Sequence, residues 1–265
     1  MKKSRDMTIL GSAGASSPFR VAGVAGSLLI WIVLSGSGAV NSLVLPSPWR
    51  VLGAVQDIGT NLPIHIGVTL ARVLVGFLGG VSLGCCVGVL MQYNRHAFAV
   101  LDGIVETGRP VPTVALIPFF TLIFGFSETG RFIVVMLGTA LLAAVTVVEA
   151  IERVPVAIVR WGLVVGLRRR ELFGRILLPA AWPNMRTGFR LALALSFTLV
   201  IVAEFMGARY GLGHLISVAK VTLTTPTLLL CVAILGILGW LTDRGLRALF
   251  NRTARWEATV KDTLL

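Results

Sequence analysis

Apolar residues run along this chain in long uncharged blocks, not in the alternating or one-sided patterns of a soluble domain. A helix needs about 20 apolar residues to cross a hydrocarbon core about 30 Å thick. Blocks at residues 21–40, 73–91, 111–126, 132–148, 191–203 and 226–242 therefore predict six membrane-spanning helices. The third block is short and contains Pro118, with Pro110 and Pro112 crowded before it. Proline at that density predicts an irregular entry or a kink. Irregular backbone at membrane depth survives only against protein or a wet cavity. This segment is therefore expected to face the protein interior, with Pro112 and Pro118 as candidates for a translocation path or gate.

Composition agrees with the pattern. Hydrophobic residues make up 55% and charged residues only 14%, and the mean hydropathy is +0.87. That charge content is far below the roughly 25% of soluble domains. A disordered chain, a disulfide scaffold and most soluble enzymes are excluded, and an all-α integral membrane fold is predicted. Cys85, Cys86 and Cys231 lie inside apolar runs and read as small packing residues.

The net charge of +12 would suggest nucleic acid in a soluble chain. In a membrane chain the position of each Lys and Arg reports orientation instead. With six spans, 19 basic residues fall in segments 1–20, 92–110, 152–190 and 244–265, and five (Arg50, Arg72, Arg131, Arg209 and Lys220) fall on the other side. That bias places both termini and the long 152–190 segment in the cytoplasm. Membrane lipid, not nucleic acid, is the expected surroundings. The expected organisation is a cytoplasmic tail at 1–20, a transmembrane domain at 21–250 and a cytoplasmic tail at 251–265. The start of the chain resembles a signal peptide, but its apolar stretch exceeds the usual h-region, so a retained first helix is expected.

Gly76, Gly80, Gly84 and Gly88 recur every four residues and line one face of the second span. Small residues let membrane helices approach closely, either within the chain or between subunits. Glu204 lies thirteen uncharged residues beyond Arg190, a rise of about 20 Å at 1.5 Å per residue. It should sit at or just inside the outer boundary and face protein. Two roles stay open for it: a pathway or gating residue, or a hydrogen bond to the loop backbone at residues 207–213. Ser196, on the same span, is a further pathway candidate. Arg72 reads as an interface anchor. Asp102, Glu106 and Arg109 share one polar helix face, with a possible Glu106–Arg109 pair.

The segment from Pro155 to Pro179 is neither polar nor of low complexity. Apolar positions recur at helical spacing on both sides of Gly166, predicting two short helices joined by a glycine turn. Arg168, Arg169, Arg170 and Glu171 mark the junction, and Pro179 and Pro183 should break the chain before the fifth span. Such a basic, amphipathic pair suits either anionic lipid or a cytoplasmic partner.

The stretch Gly166-Leu167-Arg168-Arg169-Arg170-Glu171-Leu172-Phe173-Gly174-Arg175-Ile176-Leu177-Leu178-Pro179 resembles the cytoplasmic signature of bacterial ABC importer permeases. In that signature Glu-Ala-Ala is followed by three residues, Gly, nine residues, Ile, one residue and Leu-Pro. Gly166, Ile176, Leu178 and Pro179 hold the required offsets. Arg109-Pro110-Val111-Pro112, Phe124-Gly125-Phe126-Ser127-Glu128, Ala203-Glu204 and Gly211-Leu212-Gly213 are similar to the nitrate, sulfonate and taurine branch. One departure stands out: Arg160-Trp161-Gly162 occupies the Glu-Ala-Ala positions.

The resemblance implies a type I ABC importer permease with about six transmembrane helices and a cytoplasmic coupling segment at 152–186. It implies a location in the bacterial plasma membrane. Arg160, Gly166, Leu167, Arg168, Arg169, Arg170, Glu171, Phe173 and Pro179 would contact the ATPase. Implied partners are two ATPase subunits, which carry ATP and Mg, a second permease chain, giving a homodimer, and a periplasmic or lipid-anchored solute-binding protein. The cargo would be a small anion such as a sulfonate, taurine or nitrate, entering past a vestibule of Arg50, Arg72 and Arg209. No cofactor or metal is expected on this chain, and no P-loop lysine motif occurs in it, so it is not expected to be an enzyme. The alternative is a secondary transporter or channel working without an ATPase. Midplane charges and internal repeats, which would favour that alternative, are missing from the pattern.

Overall fold

A computed structural model describes residues 17–253. The expected tails at 1–20 and 251–265 lie almost entirely outside the described residues. Within them the chain is helical, and no strand occurs. The helices are α1 (Ser17–Gly36), α2 (Pro48–Ile58), α3 (Leu62–Tyr93), α4 (Arg95–Gly108), α5 (Ile117–Phe124) and α6 (Glu128–Glu152). They continue with α7 (Val156–Val164), α8 (Arg169–Leu172), α9 (Leu178–Ala181), α10 (Met185–Phe205), α11 (Leu212–Val221) and α12 (Thr225–Thr253).

Local chemistry sets several of these ends. The Asn94 side chain accepts the His96 N–H at 2.9 Å and starts α4. The Ser127 hydroxyl accepts the Gly130 N–H at 3.3 Å and starts α6, with Glu128 in the first turn, where a carboxylate suits the helix dipole. Pro48 and Pro63 sit in the first turns of α2 and α3, where a missing N–H costs nothing.

The centre of the bundle is the pairing of α3 with α6, covered by α10. Gly76, Gly80, Gly84 and Gly88 face α6, so the glycine ladder serves packing within the chain. A methyl group on Gly80 would collide with the Thr139 hydroxyl, and one on Gly84 with the Ala140 carbonyl and the Ala143 methyl. Two apolar clusters fill the ends of the bundle. Val73, Phe77, Val134, Leu199 and Val200 pack toward the Glu128 end. Val147, Ile151, Met185, Phe189 and Phe250 pack toward the Glu152 end. Large apolar side chains on the outer surface, such as Leu78, Leu122 and Ile237, remain exposed, as lipid-facing positions should.

Hydropathy alone predicts six spans; the described residues do not by themselves establish that number. Among the described residues four helices are long and apolar enough to cross a bilayer, and five if one bent pair counts as a span. The third block is not a straight span at all. Residues Arg95–Gly108 and Thr113–Phe124 meet at 87°, and α5 has only eight residues. The prolines at 110, 112 and 118 lack the N–H donors a continuous helix needs, so the helix stops and restarts. The described apolar part of the first helix, Ala25–Gly36, is also shorter than a span.

A correction concerns Pro179 and Pro183. They do not break the chain: Arg169–Phe205 runs as one 37-residue helical segment. A π-helical turn at Phe173–Leu177 precedes Pro179, and a 3-10 turn at Trp182–Asn184 contains Pro183. Each proline therefore stands within the first two positions of a new helical piece, where its absent donor is not needed.

Candidate functional site

Three features could carry function. The first is a polar cluster at the Glu128 end of the bundle. Arg72 of α3 is buried, and its guanidinium forks onto Glu128, with Nε donating to Oε2 at 2.8 Å and Nη2 to Oε1 at 2.5 Å. Its Nη1 donates to Glu204 Oε1 and to the Tyr210 carbonyl, both at 2.7 Å. Glu204 is 1% exposed and also accepts the Thr69 hydroxyl at 2.9 Å and the Gly213 N–H at 2.8 Å. Thr69 in turn accepts the Leu212 N–H at 2.8 Å. Arg131 adds a bond to Glu128 Oε1 at 2.7 Å and another to the Gly207 carbonyl at 3.0 Å.

Two guanidinium groups thus meet two carboxylates, and the charges balance. Every charge finds a charge-assisted partner, which a buried ion requires. The loop from Gly207 to Gly213 is tied to α3, α6 and α10 at once. Gly211 has φ +128°, and a side chain there would strike the Glu204 carboxylate. Glu204 does bond the loop backbone, as one of its two sequence readings required. Arg72 is a correction: it is not an interface anchor and cannot line an outer vestibule, because its head group is buried in ion pairs. Its partner Glu204 stands 132 residues away in sequence, so no local pattern marked the pair.

The second feature is a cavity of about 440 Å³ between α6, α10 and the segment around Thr113. Arg109, Glu149, Arg153 and Asn184 line it together with the hydroxyl-bearing Thr113, Thr146 and Thr187. Arg109 bonds Glu149 at 2.6 Å and Glu106 at 2.9 Å, and Arg153 bonds Glu149 at 3.1 Å. The expected Glu106–Arg109 pair is therefore present. Gly188 lets α10 lie against Thr146, and Gly138 makes room for Leu199 and Thr113.

None of the four pathway candidates lines this cavity. Ser196 is fully buried, and its hydroxyl donates to the Leu193 carbonyl at 2.6 Å within its own helix, so it faces no path. Glu204 belongs to the polar cluster. Pro112 and Pro118 are exposed beside the broken helix. Sequence reasoning missed Thr146, Thr187, Gly138 and Gly188. The small and hydroxyl residues within otherwise bulky apolar helices were the available signal.

The third feature is the segment between α6 and α10. α7 and α8 meet at a turn in which Gly166 has φ +82°, a conformation that costs a residue with a Cβ. The Leu167 N–H reaches back to the Gly162 carbonyl at 3.1 Å and closes the turn. Glu171 accepts the Arg168 N–H at 3.1 Å, starting α8. Arg169 turns back to α3, donating to the Tyr93 carbonyl at 2.7 Å with its guanidinium 5.6 Å from the Tyr93 ring. Phe173 is buried edge-on to the same ring, and Pro179 is exposed. Arg160, Arg168 and Arg170 point outward.

No group of three or more His, Cys, Asp or Glu that could hold a metal forms among the described residues.

Comparison with known proteins places these features in context. Residues 76–255 match the family described as the binding-protein-dependent transport system inner membrane component. SsuC of Bacillus subtilis (strain 168), a permease named for aliphatic sulfonates transport, is 29% identical over 87% of this chain and 84% of its own length. The taurine transport system permease protein TauC of Escherichia coli (strain K12) is 28% identical over 88% of both chains. Among solved structures, the MetNI methionine ABC transporter in an inward-facing conformation superposes with a TM-score of 0.59. The superposition covers 72% of this chain and 97% of that one at 23% identity, a likeness of fold.

Proposed function

The chain belongs to the binding-protein-dependent transport system inner membrane component family, and from that premise we propose how it works and what it carries. It is a permease subunit of an ABC importer, a multi-pass inner-membrane protein and not itself an enzyme. The proposed cargo is a small anionic sulfonate of the aliphatic or taurine type. The names of SsuC and TauC support that class.

The proposed mechanism is alternating access driven from outside the chain. Two ATPase subunits bind ATP and Mg and hold the α7–α8 segment of each permease. A second copy of this chain completes the path, and a solute-binding protein delivers cargo at the Glu128 end. Both termini then lie in the cytoplasm. The observation that carries this reading is the exposed α7–α8 elbow, which leads without a break into the long helical segment ending at Phe205. Closure of the ATPase pair would move the elbow, and the bundle would pass the motion to the far end.

Reconstitution tests it. Proteoliposomes with this chain, its ATPase and its binding protein should accumulate labelled taurine or an alkanesulfonate only when ATP is present. Downhill movement by this chain alone, with no ATPase, would overturn the reading.

Gly166→Val makes a sharper test. A Cβ at residue 166 meets no neighbouring atom, so the cost is the strained backbone, about 1–2 kcal/mol. Expression and membrane insertion should match wild type, while uptake falls at least tenfold because the elbow no longer holds its angle. Uptake equal to wild type would show that the turn does not transmit the stroke.

A further inference from the structure

α12 is the least covered of the long apolar helices: 11% of its apolar stretch is buried, against 33–56% for the other three. An apolar groove of about 820 Å³ runs beside it, between α12 and α10. Leu193, Phe197 and Ile201 form the α10 wall, and Leu235 stands on the α12 wall. Ile216 of α11 lines the groove and packs in one cluster with Cys231 and Leu235, closing the end nearer Glu204.

Gly236 and Gly239 also line the groove, and an added Cβ at either meets nothing within 4 Å. They differ in this from Gly80 and Gly84, which a neighbouring helix requires. Glycine weakens a helix interior, and no packing inside this chain needs these two. The room they leave is open to an occupant from outside the chain.

The end of the groove nearer Glu152 is charged. Arg190 donates to Asp243 from Nε at 2.6 Å and from Nη2 at 3.1 Å, and Arg247 reaches the same carboxylate at 3.0 Å. Arg244 is exposed beside them, with its guanidinium 5.3 Å from the Trp240 ring. Asp243 is the only acid among the described residues that line the groove. Three guanidinium groups against one carboxylate leave positive charge in surplus. Arg190 and Arg247 keep about two-fifths of their side chains exposed, so donors remain for an anion. Trp240 is itself exposed, and tryptophan favours the headgroup level of a bilayer.

Length selects the occupant. At about 1.5 Å per residue, the α12 wall from Val232 to Asp243 is about 16 Å long and the α10 wall from Arg190 to Phe205 about 22 Å. A membrane-crossing helix of a second copy needs about 30 Å. An acyl chain hanging from a headgroup needs about half of that, the depth of one leaflet. Basic sites between membrane helices suit anionic headgroups.

We propose that the α10–α12 groove is a binding site for an anionic phospholipid, with one acyl chain along Phe197 and Leu235 and the phosphate against Arg244 and Arg247. The bound lipid fills the gap and holds α12 to the bundle. Binding needs neither ATPase nor cargo.

Native mass spectrometry of the full chain in detergent tests it, with dioleoyl phosphatidylglycerol and dioleoyl phosphatidylcholine as probes. Wild type should retain phosphatidylglycerol about tenfold better than phosphatidylcholine, and the former should raise its unfolding temperature more. Arg244→Gln with Arg247→Gln should bring the two lipids to near parity, while Asp243 keeps Arg190 and the fold. Gly236→Leu with Gly239→Leu should fold as well as wild type, because the added side chains enter open space, yet lose both lipids. Excess inorganic phosphate, which has no acyl chain, should not displace phosphatidylglycerol. Equal retention of the two lipids by wild type would overturn the inference, as would variants that retain phosphatidylglycerol like wild type. Displacement by inorganic phosphate would overturn it by assigning the arginines to a free anion. A leucine variant that splits a dimer by light scattering while its lipid count stays unchanged would assign the groove to a second copy instead. None of these outcomes bears on whether an ATPase drives transport.

Discussion

Replacing Arg72 with Ala should cost more stability than any other single polar change in this chain. Glu204 has a side chain 0% exposed, and Arg72 is its ion-pair partner. Removing one partner of a buried pair leaves an uncompensated charge, typically a loss of about 3–5 kcal/mol. The Thr69 hydroxyl and the Gly213 N–H still reach Glu204 and soften the loss without supplying charge. Glu128 should matter much less, because its side chain is 52% exposed and keeps Arg131. Arg72→Ala is therefore expected to fall sharply in folded yield and in unfolding temperature in detergent. The double change Arg72→Ala with Glu204→Gln should recover part of it, since the amide removes the stranded charge and can still accept from Gly213. A double variant no better than the single would show that the penalty comes from lost packing instead.

The second large effect is expected at Gly84. The α3–α6 contact is close enough that a methyl group would meet the Ala140 carbonyl, the Ala143 methyl and the Ala144 nitrogen. Two of those three atoms belong to the backbone and cannot rotate away. Gly84→Leu should force the helices apart at a cost near about 3 kcal/mol, the upper part of the range for overpacking. Gly67→Ala is the control, because nothing lies within 4 Å of its added carbon. It should be neutral or gain up to about 1 kcal/mol of helix preference. Unfolding of both variants in the same detergent decides the matter. Equal stability would show that the glycine face does not set the helix spacing.

Much of this architecture was legible because membrane helices leave a coarse trace. Long apolar blocks, a glycine every fourth residue and a lone acid beyond Arg190 each mark a physical demand that acts locally. The glycine ladder still left open whether it faced another helix of the same chain or another subunit, and Val135, Thr139 and Ala143 of α6 answer that. What the sequence could not mark were pairings over distance. Arg72 looked like an interface residue because its partners come from α6 and α10. Ser196 looked available because its hydroxyl could point either way, and in the helix it is satisfied by Leu193. The prolines at 110, 112 and 118 marked an irregular entry to the third block, but hydropathy does not register that the bend there reaches 87°. Pro179 looked like a stop because a π-helical turn placed ahead of a proline has no simple sequence mark.

The 37-residue helical segment from Arg169 to Phe205 has a mechanical corollary. At about 1.5 Å per residue it is about 55 Å long, more than a bilayer is thick. One end abuts the elbow at Arg168, and near the other Glu204 is bolted to Arg72. A load applied at the first end reaches the second through the π-helical turn at Phe173–Leu177 and the 3-10 turn at Trp182–Asn184, the places where the segment can bend. On the proposed mechanism, the end that would receive the ATPase's stroke and the end tied to the outer polar cluster thus belong to one helical segment.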